Sequence, residues 1–72
     1  MIQVGLLTIE QKDSLVGQLY DDDSYFNPIQ DDFDKWVIST EEINFCVNPE
    51  FMWVKDLPLI EYVPKPAPPL PM

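Results

Sequence analysis

The spacing of apolar positions changes along the chain, and each change marks a predicted element. After Thr8, the residues Ile9, Val16 and Leu19 recur at helical spacing, with Leu15 and Tyr20 beside them. Thr8 followed by Gln11 is a capping-box pattern, in which the hydroxyl meets backbone donors that the first turn leaves unpaired. Gly17 weakens this helix by roughly 1 kcal/mol relative to Ala and reads as a close-packing point or, nearly as well, as a surface glycine. Asp21, Asp22 and Asp23 would place negative charge at the negative end of the helix dipole. The helix is therefore expected to stop near Tyr20, with the Asp run in a loop.

From Ser24 to Ser39 the pattern becomes aromatic and β-branched. Tyr25-Phe26-Asn27-Pro28-Ile29 and Lys35-Trp36-Val37-Ile38 flank the Asp-rich stretch Gln30 to Asp34, which predicts a two-stranded hairpin. Its turn carries Asp32-Phe33-Asp34, where hairpins often carry Asn-Gly. Pro28 cannot donate to a ladder, so its strand is short or lies at an edge. Trp36 and Ile38 share a face and are expected to meet a helix.

Ser39-Thr40-Glu41-Glu42 is the strongest local signal. Ser39 caps, Glu42 closes a capping box, and both glutamates favour the positive end of a helix reaching about Val47. Asn48 and Pro49 start another helix as N-cap and first helical residue. Phe51, Val54 and Leu57, with Trp53 alongside, form its apolar side until Pro58. Leu59 to Val63 reads as a short extended segment, and Pro64 to Met72 holds five prolines in nine residues. Such a tail favours polyproline II. The expected fold is a small single α+β domain, helix–β-hairpin–helix–helix over residues 1–58, with an extended proline-rich C-terminal arm over 59–72.

Composition narrows the function. The chain has 72 residues, 46% of them hydrophobic, and its 13 carboxylates face 4 lysines for a net charge of -9. Without arginine, this polyanion is not expected to bind nucleic acid, whose phosphates demand positive charge. Without histidine it lacks the commonest general base and metal ligand. Cys46, the single cysteine, cannot form an internal disulfide and reads as a small buried hydrophobe. No nucleophile–base pair or Gly-rich phosphate loop is present, so the chain is expected to be no enzyme and to use no cofactor. A calcium loop starting at Asp31 would need oxygen ligands where Phe33 and Lys35 stand, and glycine where Trp36 stands. No metal site is expected, and solvated loop aspartates are the better account. Capping explains Glu41 and Glu42.

A domain near this size is marginal alone, and assembly onto a protein partner or a second copy is the remaining support. Aromatic residues are concentrated between Tyr20 and Tyr62. Their bland role is to fill a small core, and their functional role is to anchor an interface. Lys65 to Pro71 also fits a basic-x-x-P-x-x-P spacing, a pattern that any proline-rich segment easily meets. The residues expected to bind a partner are Phe51, Trp53, Leu59, Ile60, Tyr62, Val63 and Leu70. The acidic stretch from Asp21 to Asp34 is expected to stay outward. Met1 to Leu7 is too short and lacks the basic region of a signal peptide, and no apolar run reaches the ~20 residues of a membrane span. Secretion and membrane partners are therefore not expected.

The stretch from Leu7 to Tyr62 resembles small uncharacterised proteins of tailed phages that infect Bacteroidetes-type bacteria. Phe26-Asn27-Pro28-Ile29-Gln30-Asp31, Trp36-Val37-Ile38-Ser39 with Glu41-Glu42, and Asn48-Pro49-Glu50-Phe51 with Trp53-Val54-Lys55 carry the likeness. Leu57-Pro58-Leu59-Ile60-Glu61-Tyr62 completes it. The resemblance implies a phage setting, in the virion or the host cytoplasm, and brings no catalytic residue with it. The expected role is a non-enzymatic, virion-associated structural protein that docks through an aromatic patch and its C-terminal arm. The competing role is a small acidic inhibitor that occupies a basic surface of a host enzyme, as a DNA mimic would.

Overall fold

Two capping boxes set where the helices begin. In the computed structural model, which describes residues 2–65, Thr8 Oγ1 accepts from Gln11 N at 3.1 Å, and Thr8 N donates to Gln11 Oε1 at 2.9 Å. Helix α1 (Ile9–Leu15) follows. It ends well before Tyr20, because Gly17 sits at φ 78°, a left-handed conformation that reverses the chain. A Cβ on Gly17 would meet nothing within 4 Å, so this glycine terminates the helix and is not a close-packing point. Of the predicted apolar face, Leu15 is buried while Ile9 and Val16 are exposed.

Ser39 repeats the cap. Its Oγ accepts from Glu42 N at 3.2 Å, its N donates to Glu42 Oε2 at 2.8 Å, and helix α2 (Thr40–Asn44) follows. This helix stops short of Val47, since Phe45 already leaves helical geometry at ψ 7°. Asn48 Oδ1 accepts from Glu50 N at 3.1 Å and opens a 3₁₀ helix, Pro49–Asp56, kinked at Phe51. Its apolar residues Phe51, Val54 and Leu57 are buried, as their spacing predicts. Among the described residues no helix is long and apolar enough to cross a membrane.

The hairpin is present. Strands β2 (Ile29–Gln30) and β3 (Trp36–Ser39) pair antiparallel, with Ile29 opposite Val37. Tyr25 to Pro28 lies outside β2, in keeping with the donor that Pro28 lacks. Two further strands complete a four-stranded antiparallel sheet of order β2-β3-β1-β4. Strand β1 (Gln3–Leu7) is central, and strand β4 (Leu59–Glu61) pairs with it, Gln3 opposite Glu61. The ladder continues from Tyr62 N to Ile2 O at 2.8 Å. The domain therefore runs past Pro58, and the first part of the expected arm is a strand of the sheet. Pro66 to Met72, the rest of that arm, lies outside the described residues.

The pleat divides the side chains between two faces. Gly5, Leu7, Trp36 and Ile38 face the helices, as expected for Trp36 and Ile38. Leu7 and Ile38 join Leu15, Ile43, Val54 and Leu57 in the core. A Cβ on Gly5 would lie 2.6 Å from Ile43 Cδ1, so α2 packs against bare backbone there. Phe26 and Phe51 meet edge to face with centroids 5.8 Å apart, and Tyr20 and Trp53 flank them. Val4, Leu6, Val37 and Ile60 lie on the opposite face, where Val4 and Val37 are also buried. Their cover comes from curling. Although β2 and β4 are opposite edges, Asp32 N donates to Val63 O at 2.8 Å, and Lys65 pairs with Asp34 at 2.8 Å. These links draw the two edges together around the second face.

Candidate interaction groove

An open groove of about 600 Å³ lies where the sheet's central strand hands over to α1. Its apolar wall is built from Leu6 and Leu7 of β1, Trp53 and Leu57 from the 3₁₀ region, and Pro58. Thr8, Gln11, Lys35 and Asp56 form the polar rim. Local chemistry positions each part. The Thr8 cap turns the chain sharply at the end of β1, while Pro58 ends the preceding helix and its carbonyl accepts from Leu6 N at 2.9 Å. Trp53 is half-buried, with its ring 6.3 Å from that of Phe51.

Charge around the groove is uneven. Lys12 lies 4.4 Å over the Trp36 ring and pairs with Asp13 at 2.9 Å. Lys35, on the same rim, has its ammonium 5.9 Å from the Phe33 ring centroid and forms no ion pair among the described residues. Asp56 is exposed and forms no ion pair among the described residues. The Thr8 and Gln11 side chains already bond within their cap. Such a trough can hold an apolar side chain or an extended peptide segment.

The predicted binding residues scatter. Phe51 is only 8% exposed and belongs to the core, which removes it from any surface patch. Trp53 lines the groove, and Leu59, 50% exposed, follows Pro58 at its end. Ile60, Tyr62 and Val63 are half-buried in or beside β4. Tyr62 lines a second cavity of about 360 Å³ with Tyr25, Ile29 and Glu42. Leu70 lies outside the described residues. Sequence reasoning missed Leu6, Leu7 and Pro58 as a wall for Trp53. The available signal was the apolar run ending at the Thr8 cap, which marks a strand-to-helix corner.

Two carboxylates are not outward. Asp31 is 1% exposed, and its Oδ1 accepts from Phe33 N and Lys35 N, each at 2.9 Å. The expectation of a wholly solvent-facing acidic stretch fails there, because an Asx turn folds the carboxylate inward to satisfy two partly buried backbone donors of the turn. Glu42 is buried too. Beyond closing its capping box, its Oε1 accepts from Asn27 N and ties the hairpin's approach to α2. Lys65 has its pKa raised above 10.5, chiefly by the hydrogen bond it donates to Asp34. Among the described residues no three Cys, Asp or Glu side chains converge as a metal-binding set. No protein-family model matches the chain, and neither a curated protein nor a solved structure matches it.

Proposed function

We propose that this chain is a non-enzymatic structural protein of a tailed phage, held on a larger protein assembly of the virion through its groove and the adjoining C-terminal segment. The observation that carries this reading is the open apolar groove beside Trp53, with exposed Leu59 at its end. A half-buried Trp on an apolar wall has the character of an interface anchor. A chain of this size also gains stability by assembling. The phage setting itself rests on the resemblance carried by Leu7 to Tyr62. Mass spectrometry of purified particles tests it, with the chain expected at a fixed ratio to the major structural proteins. Absence from particles would sink the reading.

A second reading is a small acidic inhibitor that covers a basic surface of a host enzyme. One observation favours it. The ion pairs among the described residues, Lys12–Asp13 and Lys65–Asp34, leave most of the 13 carboxylates uncompensated. Such a surface steers towards cationic clefts, with association that weakens steeply in salt. Capture of a basic host enzyme at low salt, released as salt rises, is the expected result. A pull-down that retains no basic protein removes this reading.

A further inference from the structure

We propose that the second cavity, between Tyr20, Tyr25 and Tyr62, binds a quaternary ammonium group, free or carried on a larger molecule. This goes beyond the assembly reading above and does not rest on it. The cavity, of about 360 Å³, has three tyrosines in its wall and one charged side chain, Glu42. Among the described residues no lysine lines it, so its charge has one sign. Separate parts of the fold hold the three tyrosines. Tyr20 packs against Phe26 with ring centroids 5.3 Å apart, Tyr25 bridges to Leu19, and Tyr62 N donates to Ile2 O at 2.8 Å. Tyr25 is 63% exposed, so its ring is open to a ligand.

The state of Glu42 narrows the cation. Its carboxylate is 7% exposed and accepts from Asn27 N, Ser39 N and Ser39 Oγ, which uses most of its lone pairs. None of these donors carries a full charge, so the negative charge persists while little accepting capacity is left. A metal ion would need several oxygen ligands, and among the described residues no three acidic side chains converge. A primary ammonium would leave N–H donors unsatisfied there. A fully methylated ammonium brings charge without donors and is attracted to aromatic rings.

The test is a titration of the isotope-labelled full chain with choline and with its neutral isostere, in which carbon replaces nitrogen, followed by nuclear magnetic resonance. Choline is expected to shift the Tyr25 and Tyr62 ring resonances and the Asn27 amide, and to bind about tenfold more tightly than the isostere. Tyr25→Ala, at an exposed side chain, is expected to weaken choline binding by about tenfold. Tyr25→Phe keeps the ring and is expected to bind within a factor of about three of the parent. A trimethyl-lysine peptide titrated beside choline separates the sources. A tighter response to the peptide assigns the ammonium to a protein segment, and an equal or weaker one assigns it to a small molecule. Equal binding of choline and its isostere overturns the proposal. So do shifts confined to residues outside the cavity, or choline binding that Tyr25→Ala leaves unchanged.

Discussion

The chain holds two aspartate-rich runs of nearly identical composition, and the fold treats them as opposites. Asp21, Asp22 and Asp23 follow the end of α1 in a loop where Asp22 and Asp23 are exposed. Asp31, Asp32 and Asp34 form the turn of the hairpin, and every one of them does structural work. Asp31 is buried and satisfies two backbone donors, Asp32 N bonds to Val63 O, and Asp34 holds Lys65. What separates the runs is spacing to backbone donors. Asp31 begins its turn buried and finds N–H groups two and four residues on, whereas in the turn closed by the Leu19–Tyr25 bridge Asp21 and Asp23 reach only the adjacent Asp22 N and Ser24 Oγ.

Truncation after Pro58 removes β4, Val63 and Lys65 together, so both the central strand and the hairpin turn lose a partner. The truncated chain is expected to lose its cooperative transition in thermal unfolding followed by circular dichroism. An unchanged midpoint would mean that the second run needs no support from the C-terminal segment. Next in size, Asp31→Ala strands the Phe33 and Lys35 donors and is expected to cost about 1–3 kcal/mol in urea unfolding. Asp31→Asn keeps an acceptor oxygen and is expected to cost clearly less; equal losses would point to charge instead of hydrogen bonding.

The Lys65–Asp34 pair gives a smaller, pH-dependent effect. Its folded pKa is raised, so its contribution is complete below the ordinary lysine value of 10.5 and is lost as pH climbs through the higher folded value. The difference in unfolding midpoint between the parent and Lys65→Met is expected to vanish in that alkaline range, and in high salt. A difference that persists there would locate the effect in packing. Smallest of all, replacing Asp21, Asp22 and Asp23 by Asn is expected to change stability by no more than about 0.5 kcal/mol. A larger shift would erase the contrast between the runs.

Local chemistry was legible in the sequence wherever one residue could satisfy its neighbours. The caps at Thr8, Ser39 and Asn48, the hairpin, and the buried set Phe51, Val54 and Leu57 all follow from spacing over a few positions. What stayed hidden depends on distant partners. Strand β1 is buried on both faces and reads as an apolar run with no alternation, and β4 is a strand only because β1 lies beside it. Gly17 ends α1 through its positive φ, which a pattern of side chains does not encode. The groove was half legible. Trp53 was singled out, but its wall comes from three parts of the chain that only the sheet brings together.

The pairing of Gln3 with Glu61 also fixes an order of events during synthesis. Strand β1 leaves the ribosome first, yet one of its edges has no partner until Leu59 to Glu61 have emerged. Everything between them must already be made, so the sheet closes late and across most of the chain. Closing so long a loop carries an entropic cost and slows folding relative to helices of the same size. During that interval β1 can pair with β3 along one edge only, and its other edge, with Val4, Leu6 and Leu7, is the segment most in need of shielding.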